Sequence, residues 1–459
     1  MTIAEPQHYY YLLFACLLAE YALIFRLLHS PFGTALRAMR ENETACRTSG
    51  VDVTRVRVTL LLVSSAIAGA AGSLLAHMNG FISPPTFGWS TSVAVLMMVV
   101  LGGVRSLPGA IVGAAAIRLV RRVDERPRPA EQYRVRRGPR AVHGLSAERA
   151  GRPRGPARGA AAVGGAARRA GRRAVTDAVL ETEGVSKRFS GLVAVDGVDL
   201  RVERGEIRGV VGPNGAGKTT LFNLVSGLYP VSGGRIRLGG RDVTAAPPHA
   251  QAAAGLGRTY QTPQIFPELS LFDNVAIGLA GVRPPSVRDA LLGRRRTRRD
   301  VLAGVEEALG FMRLPVDLGA LAGALSFGEQ KRLEIARALV GRPAVLMLDE
   351  PAAGLNRGEI DELAGLVGAI RARGVTVVLI EHNMRVVMGL CDRITVLDFG
   401  RKIAEGTADE VRRDPLVIAA YLGDRWEGQR CSYVTGSTRG MAGWRSCTAC
   451  RSPCSPTSS

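Results

Sequence analysis

Aromatic side chains are scarce, 5% of 459 residues, and the most basic stretch of the chain, residues 118 to 174, contains no lysine. A strongly basic chain invites a nucleic-acid partner, but single-strand binders interleave their basic residues with aromatics on which bases stack. That stretch holds 17 Arg and 4 acidic residues, so it carries +13 of the net +20, and no specific nucleic-acid partner is expected. Cysteine is equally sparse. Four of the seven fall after residue 430, without the even spacing of a secreted disulfide framework. Cys431, Cys447, Cys450 and Cys454 have ligand-like spacing, but no apolar framework surrounds them and no metal centre is expected there. The first residues lack both basic side chains and a small-residue cleavage site, so a signal peptide is not expected.

What is present comes in four parts. Tyr9 to Leu28 is nearly all apolar and long enough to cross a hydrocarbon layer of about 30 Å. Val58 to Met78 is a second such run, carrying the Gly, Ala and Ser that let membrane helices approach closely. Val93 to Val104 is too short to span comfortably, and a fourth run begins near Ala110. The loop from Ser30 to Arg57 holds five arginines, whereas that from Asn79 to Ser92 has no Lys or Arg. The positive-inside rule puts the first loop in the cytoplasm and the second outside.

Residues 118 to 174 show neither helical nor strand periodicity, and their Arg, Gly, Ala and Pro build no core, which predicts disorder. From Leu180 to about Arg425, short β-branched runs alternate with helical patterns, as in an α/β domain. Within it, Gly212-Pro-Asn-Gly-Ala-Gly-Lys218-Thr219 has the P-loop spacing, after the strand Ile207 to Val211 and before a helical pattern from Thr219 to Ser226. Gly212, Asn214, Gly215, Gly217, Lys218, Thr219 and Thr220 are therefore candidate nucleotide-binding residues. Backbone N–H groups and the helix N-terminus would face phosphates, and Lys218 would reach the outer phosphates. The apolar strand Ala344 to Leu348 ends in Asp349-Glu350. Asp349, with Thr219, is placed to hold Mg²⁺, and Glu350 to accept the proton of an attacking water.

These motifs resemble those of the ATP-binding subunits of ABC transporters, over Leu180 to about Arg425. Leu325-Ser-Phe-Gly-Glu-Gln330 is similar to the family's signature. The resemblance implies that Ser326, Gly328, Glu329 and Gln330 cap the nucleotide of a partner in a head-to-tail dimer. It also implies that Gln261 senses Mg²⁺, that His382 contacts the γ-phosphate, and that Phe189 stacks on adenine. Asn356 stands where many relatives have Asp. Arg258-Thr-Tyr-Gln-Thr-Pro-Gln-Ile-Phe, Glu381-His-Asn-Met384 and Val396-Leu-Asp-Phe-Gly400 resemble the ATPase of branched-chain amino acid importers. Phe32-Gly-Thr-Ala-Leu-Arg-Ala-Met-Arg-Glu-Asn-Glu43, followed by Gly50-Val-Asp, resembles the coupling loop of the matching permease, which docks into the ATPase near Gln261.

The expected fold is thus an α/β P-loop ATPase domain at 177–426, preceded by a partial α-helical transmembrane permease fragment at 1–117 and a disordered linker at 118–176, with a disordered tail at 427–459. The resemblance implies ATP and Mg²⁺ as cofactors and uptake of branched-chain or related amino acids. It implies as partners a second ATPase subunit, complete inner-membrane permease subunits and a substrate-binding protein outside the cell. The cytoplasmic membrane is the implied location, with the ATPase on the cytoplasmic face. Urea and short-amide importers have similar subunits and remain an alternative. A soluble ABC ATPase of repair or translation fits less well, since this chain has one cassette plus apolar spans. Another alternative is a non-functional frameshifted product. The genetic code permits an apolar span under residues 133 to 153 in the second-position frame, and an ATPase opening strand after Gly440 in the third-position frame.

Overall fold

A computed structural model describes residues 6–80, 88–104, 106–124, 178–282, 284–287, 289, 298–315 and 317–422. The expected tail at 427–459 with its cysteines, and the linker beyond residue 124, lie outside the described residues. The chain forms two compact units, Met1–Leu27 with Leu60–Thr176, and Leu28–Thr59 with Asp177–Ser459.

The described residues of the first unit are mainly helical. The runs expected to span become helices Pro6–Leu28 and Val53–Asn79, both reaching the unit boundary. Among the described residues they are the two long and apolar enough to cross a membrane, and almost nothing of either is buried within the chain. A soluble helical core would bury such faces. The third run is the 14-residue helix Trp89–Gly102. The fourth corrects a boundary, because its helix, Leu107–Asp124, continues past Ile117 into residues assigned to the linker. Arg is a good helix former, so the change from apolar to Arg-rich sequence did not end the helix.

In the second unit, β1 (Ala178–Phe189), β2 (Leu192–Glu203), β4 (Gly233–Leu238) and β5 (Arg241–Asp242) form an antiparallel sheet in the order β2-β1-β4-β5. A second sheet has the order β10-β9-β3-β8-β7-β6, built from β3 (Ile207–Val211), β6 (Leu256–Arg258), β7 (Val345–Asp349), β8 (Thr376–Ile380), β9 (Arg393–Asp398) and β10 (Arg401–Gly406). It is parallel except for β10. β3, β7 and β8 are buried at every position, as expected where both faces of a parallel sheet are covered. Alternate residues divide between two cores. Val345, Met347, Val378 and Ile380 meet Leu221, Phe222 and Leu224 of the helix Lys218–Val225 and the antiparallel sheet. Leu346, Leu348, Val377 and Leu379 face the helices Arg298–Phe311, Phe327–Leu339 and Arg357–Ala372. This sandwiching brings the C-terminal ends of β3, β7 and β8 side by side, the usual ligand edge of an open α/β sheet.

Candidate functional site

β3 delivers the chain into the loop Gly212–Gly217, and the helix Lys218–Val225 starts from Gly217 at φ +94°. A Cβ at Gly217 would lie 2.5 Å from the Ala194 carbonyl oxygen, so both conformation and space demand glycine. Asn214, Gly215 and Thr219 are exposed, Thr220 is half-buried, and Lys218 is buried. The Lys218 ammonium donates to the Gly212 and Pro213 carbonyls at 2.7 and 2.9 Å. Burial lowers its pKa, against the opposing pull of Glu350 and Asp349.

Asp349 ends β7 fully within the protein. Burial pushes its carboxyl up to about 6, with Arg258 opposing from 3.7 Å. Its Oδ1 is buried and has no hydrogen-bond partner among the described residues. An orphaned buried carboxylate oxygen next to a phosphate-binding loop suits a cation, and Asp349 therefore fits the expected Mg²⁺ ligand.

Glu350 adopts φ +46°, a left-handed backbone held by its N–H donating to the Ile380 carbonyl at 2.9 Å. Its Oε2 accepts from Gln261 Nε2 at 2.8 Å and lies 3.5 Å from His382 Nδ1. The candidate catalytic residues Gln261 and His382, drawn from separate segments, thus both contact Glu350. Phe189 is part-exposed at the end of β1, its ring edge-on to Tyr229 with centroids 5.6 Å apart.

The signature residues form a group of their own. Ser326 caps the helix Phe327–Leu339 in a capping box with Glu329, and Gln330 Nε2 donates to the Leu325 carbonyl. None of these hydrogen bonds reaches Lys218, Asp349 or Glu350. Asn356 caps the helix Arg357–Ala372 in the same way, which explains how Asn serves at this position.

Several residues that shape the site carry no motif of their own. Lys331, buried in the signature helix, donates to the carbonyls of Glu350, Pro351 and Ala353 at 3.0, 3.0 and 2.8 Å, fixing the turn that presents Glu350. The fully buried Glu381 accepts from the N–H groups of Ala352, His382 and Asn383, tying the His382 loop to that turn. Glu334 accepts from the N–H groups of Tyr260 and Gln264, and burial raises its carboxyl to about 7 against the influence of Arg337. Only Lys331, directly after the signature, stood where spacing could have flagged it.

On the outer side of the Gln261 loop lies the segment expected to dock. Ser30 caps the helix Pro31–Glu41, and Asn42 caps Glu43–Thr48. Phe32, Ala35, Ala38, Ala45, Cys46 and Val51 are buried. Arg37 lies 3.5 Å from Asp273, and Arg40 2.8 Å from Glu268. The Tyr260 hydroxyl donates to Thr48 Oγ1 at 3.0 Å, and Asn42 donates to the Gln264 side chain. Gly50, at φ +96°, is packed against the backbone of Gly281.

Comparison with known proteins identifies the family. The ABC transporter family profile matches residues 195–353. That of the branched-chain amino acid transport system permease component matches 2–125, and that of the branched-chain amino acid ATP-binding cassette transporter 401–427. The high-affinity branched-chain amino acid transport ATP-binding protein BraF of Pseudomonas aeruginosa is 41% identical over 257 residues, covering 54% of this chain and 98% of the relative. LivG of Escherichia coli, of the same description, is 39% identical over 250 residues, covering 54% of this chain and 98% of its own length. A nucleotide-free ATP-binding cassette from an ABC transporter, solved by crystallography, is 31% identical, covers 54% of this chain and all of that one, and superimposes with a TM-score of 0.48. The chain belongs to the ABC transporter family, as an ATP-binding protein of the branched-chain amino acid type joined to a permease-component segment.

Proposed function

We propose that the chain hydrolyses ATP to drive uptake of branched-chain amino acids across the cytoplasmic membrane, with its cassette on the cytoplasmic face. The observation that carries this reading is the position of the Gln261 loop. One side of it reaches Glu350, and Tyr260 and Gln264 on either side of Gln261 hold the segment Ser30–Val53. Relatives named for branched-chain amino acid transport supply the substrate class.

In the proposed reaction, a water attacks the γ-phosphorus, the bond to the β-phosphate oxygen breaks, and Glu350 takes the proton, giving ADP and phosphate. Gln261 and His382 both meet one oxygen of that carboxylate, Oε2, at 2.8 and 3.5 Å. Thr219, Gln261 and Asp349 would hold Mg²⁺, which supplies neutralising charge at the phosphates. Lys218 exchanges its bonds to the Gly212 and Pro213 carbonyls for phosphate oxygens. Phe189, 39% exposed, would stack on adenine. The hydrogen bonds of Ser326, Glu329 and Gln330 stay within the signature segment, and a second cassette facing head-to-tail would bring its own Ser326, Gly328, Glu329 and Gln330 to the phosphates held here. Complete permease subunits and a substrate-binding protein would finish the transporter.

Uptake of labelled leucine into cells, with and without the gene, tests the proposal. Loss of the gene should abolish most ATP-dependent uptake, and excess isoleucine or valine should compete. Competition by urea or a short amide, with none by isoleucine or valine, would assign a different substrate.

A further inference from the structure

Among the buried acids of the site with no part in the reaction, Glu334 faces the Gln261 loop. Glu334 lies in the signature helix Phe327–Leu339 and is 1% exposed. Its Oε2 accepts from the Tyr260 N–H at 3.2 Å and its Oε1 from the Gln264 N–H at 3.0 Å. The carboxylate therefore grips the backbone on both sides of Gln261. On its own helix it is paired with Arg337 at 3.4 Å, and the Arg337 guanidinium lies over the Phe266 ring, 5.0 Å from its centroid.

The two backbone positions gripped from inside are the two whose side chains hold the docked segment from outside. Tyr260 reaches Thr48, and Gln264 receives Asn42. A purely structural buried acid needs a cation and enough donors, but nothing requires those donors to bracket one catalytic side chain. Arg258 extends the same chain of contacts inward. Its guanidinium lies over the Tyr260 ring, 4.8 Å from the centroid, and its other side faces Asp349 at 3.7 Å. The next residue along the signature helix toward its N-terminus with a comparable role is Lys331, which holds the turn carrying Glu350.

We propose that Glu334 is a positioning residue that latches the Gln261 loop to the signature helix, so that displacement of the docked segment moves Gln261 and the signature together. The inference rests on the reading of Ser30–Val53 as the element that connects transport to hydrolysis. Glutamine at 334 has the same shape but only one acceptor oxygen. Its amide group would face an N–H donor, and one of the two backbone grips would open. Since the latch places Gln261 while Lys218, Thr219 and Asp349 keep their hold on the phosphates and Mg²⁺, its loss should lower kcat far more than it raises KM for ATP.

The experiment uses the full chain in liposomes. Amide exchange of Tyr260 and Gln264, together with steady-state hydrolysis, is compared for wild type, Glu334→Gln, Tyr260→Phe and the double variant. We expect at least one of the two amides to exchange about tenfold faster in Glu334→Gln, kcat to fall about tenfold, and KM to stay within about twofold. Tyr260→Phe should lower kcat too, and the double variant should lose little more than the stronger single one, because both changes break one linkage. Unchanged exchange at both amides, a rise in KM with constant kcat, or fully additive losses would overturn the proposal. If Glu334→Gln fails to fold, Tyr260→Phe decides, since it keeps the core. Faster exchange at Glu329 and Gln330 would support the latch, and unchanged exchange there would overturn it. Absence of wild-type hydrolysis would sink the transport reading instead, while the exchange readout still decides the latch.

Discussion

Glu350→Gln should remove at least about 99% of ATP turnover while leaving ATP affinity within a few-fold of wild type, as expected when a general base is lost. The amide side chain keeps the length of the carboxylate and can still accept from Gln261 Nε2, now 2.8 Å from Glu350 Oε2. The left-handed backbone at φ +46° is set by the bond from Glu350 N–H to Ile380 and by Lys331 on the Glu350 carbonyl, neither of which involves the side chain. The substitution therefore removes proton acceptance and little else. Phosphate release measures turnover, and a fluorescent ATP analogue measures binding. Turnover within tenfold of wild type would show that another group takes the proton.

Gly50→Val should free the docked segment. A β-branched residue does not adopt φ +96°, and its Cβ would come within 2.3 Å of the Gly281 backbone nitrogen. The obstacle is backbone, so no rotamer relieves it. Left-handed strain and overlap together cost about 3 kcal/mol or more, which is about a hundredfold in a local opening equilibrium. The Val51 N–H, which donates to the Cys46 carbonyl at 3.2 Å, should exchange faster by that factor, and leucine uptake should be lost. Gly50→Ala should act in the same direction with a smaller effect. Unaltered exchange at Val51 with normal uptake would mean that the close approach to Gly281 is not needed for docking.

How much of this was legible depended on whether a residue's role is local. The P-loop, the acids at the end of β7 and the signature are contiguous runs whose backbone geometry follows from their own sequence, and the structure places them as expected. Gln261, Glu350 and His382 lie far apart in sequence and were readable only because the family resemblance supplied the order. Their contact is set by β7 and β8 pairing in register, Asp349 opposite Ile380. Glu334 and Glu381 look like ordinary helix and loop acids. Their roles depend on backbone N–H groups 70 to 74 and 29 residues away in sequence. The loop Ser30–Arg57 was read through its charge and its resemblance. Its two capped helices follow from Ser30 before Pro31 and from Asn42, a local signal that the topology argument passed over. At the other extreme, composition started the linker at 118, inside the helix that reaches Asp124, because an Arg-rich turn is compatible with a helix.

Nucleotide at Lys218, Asp349 and Glu350 should be felt by the segment docked on the far side of the Gln261 loop. Amide exchange across residues 42–51 of the full-length Glu350→Gln variant, with and without MgATP, measures this directly, since bound ATP is not consumed. MgATP should change exchange at Tyr260, Gln264 and residues 42–51 by at least about fivefold. Changes confined to the P-loop and to the Glu350 and His382 turns, with residues 42–51 unaffected, would contradict it.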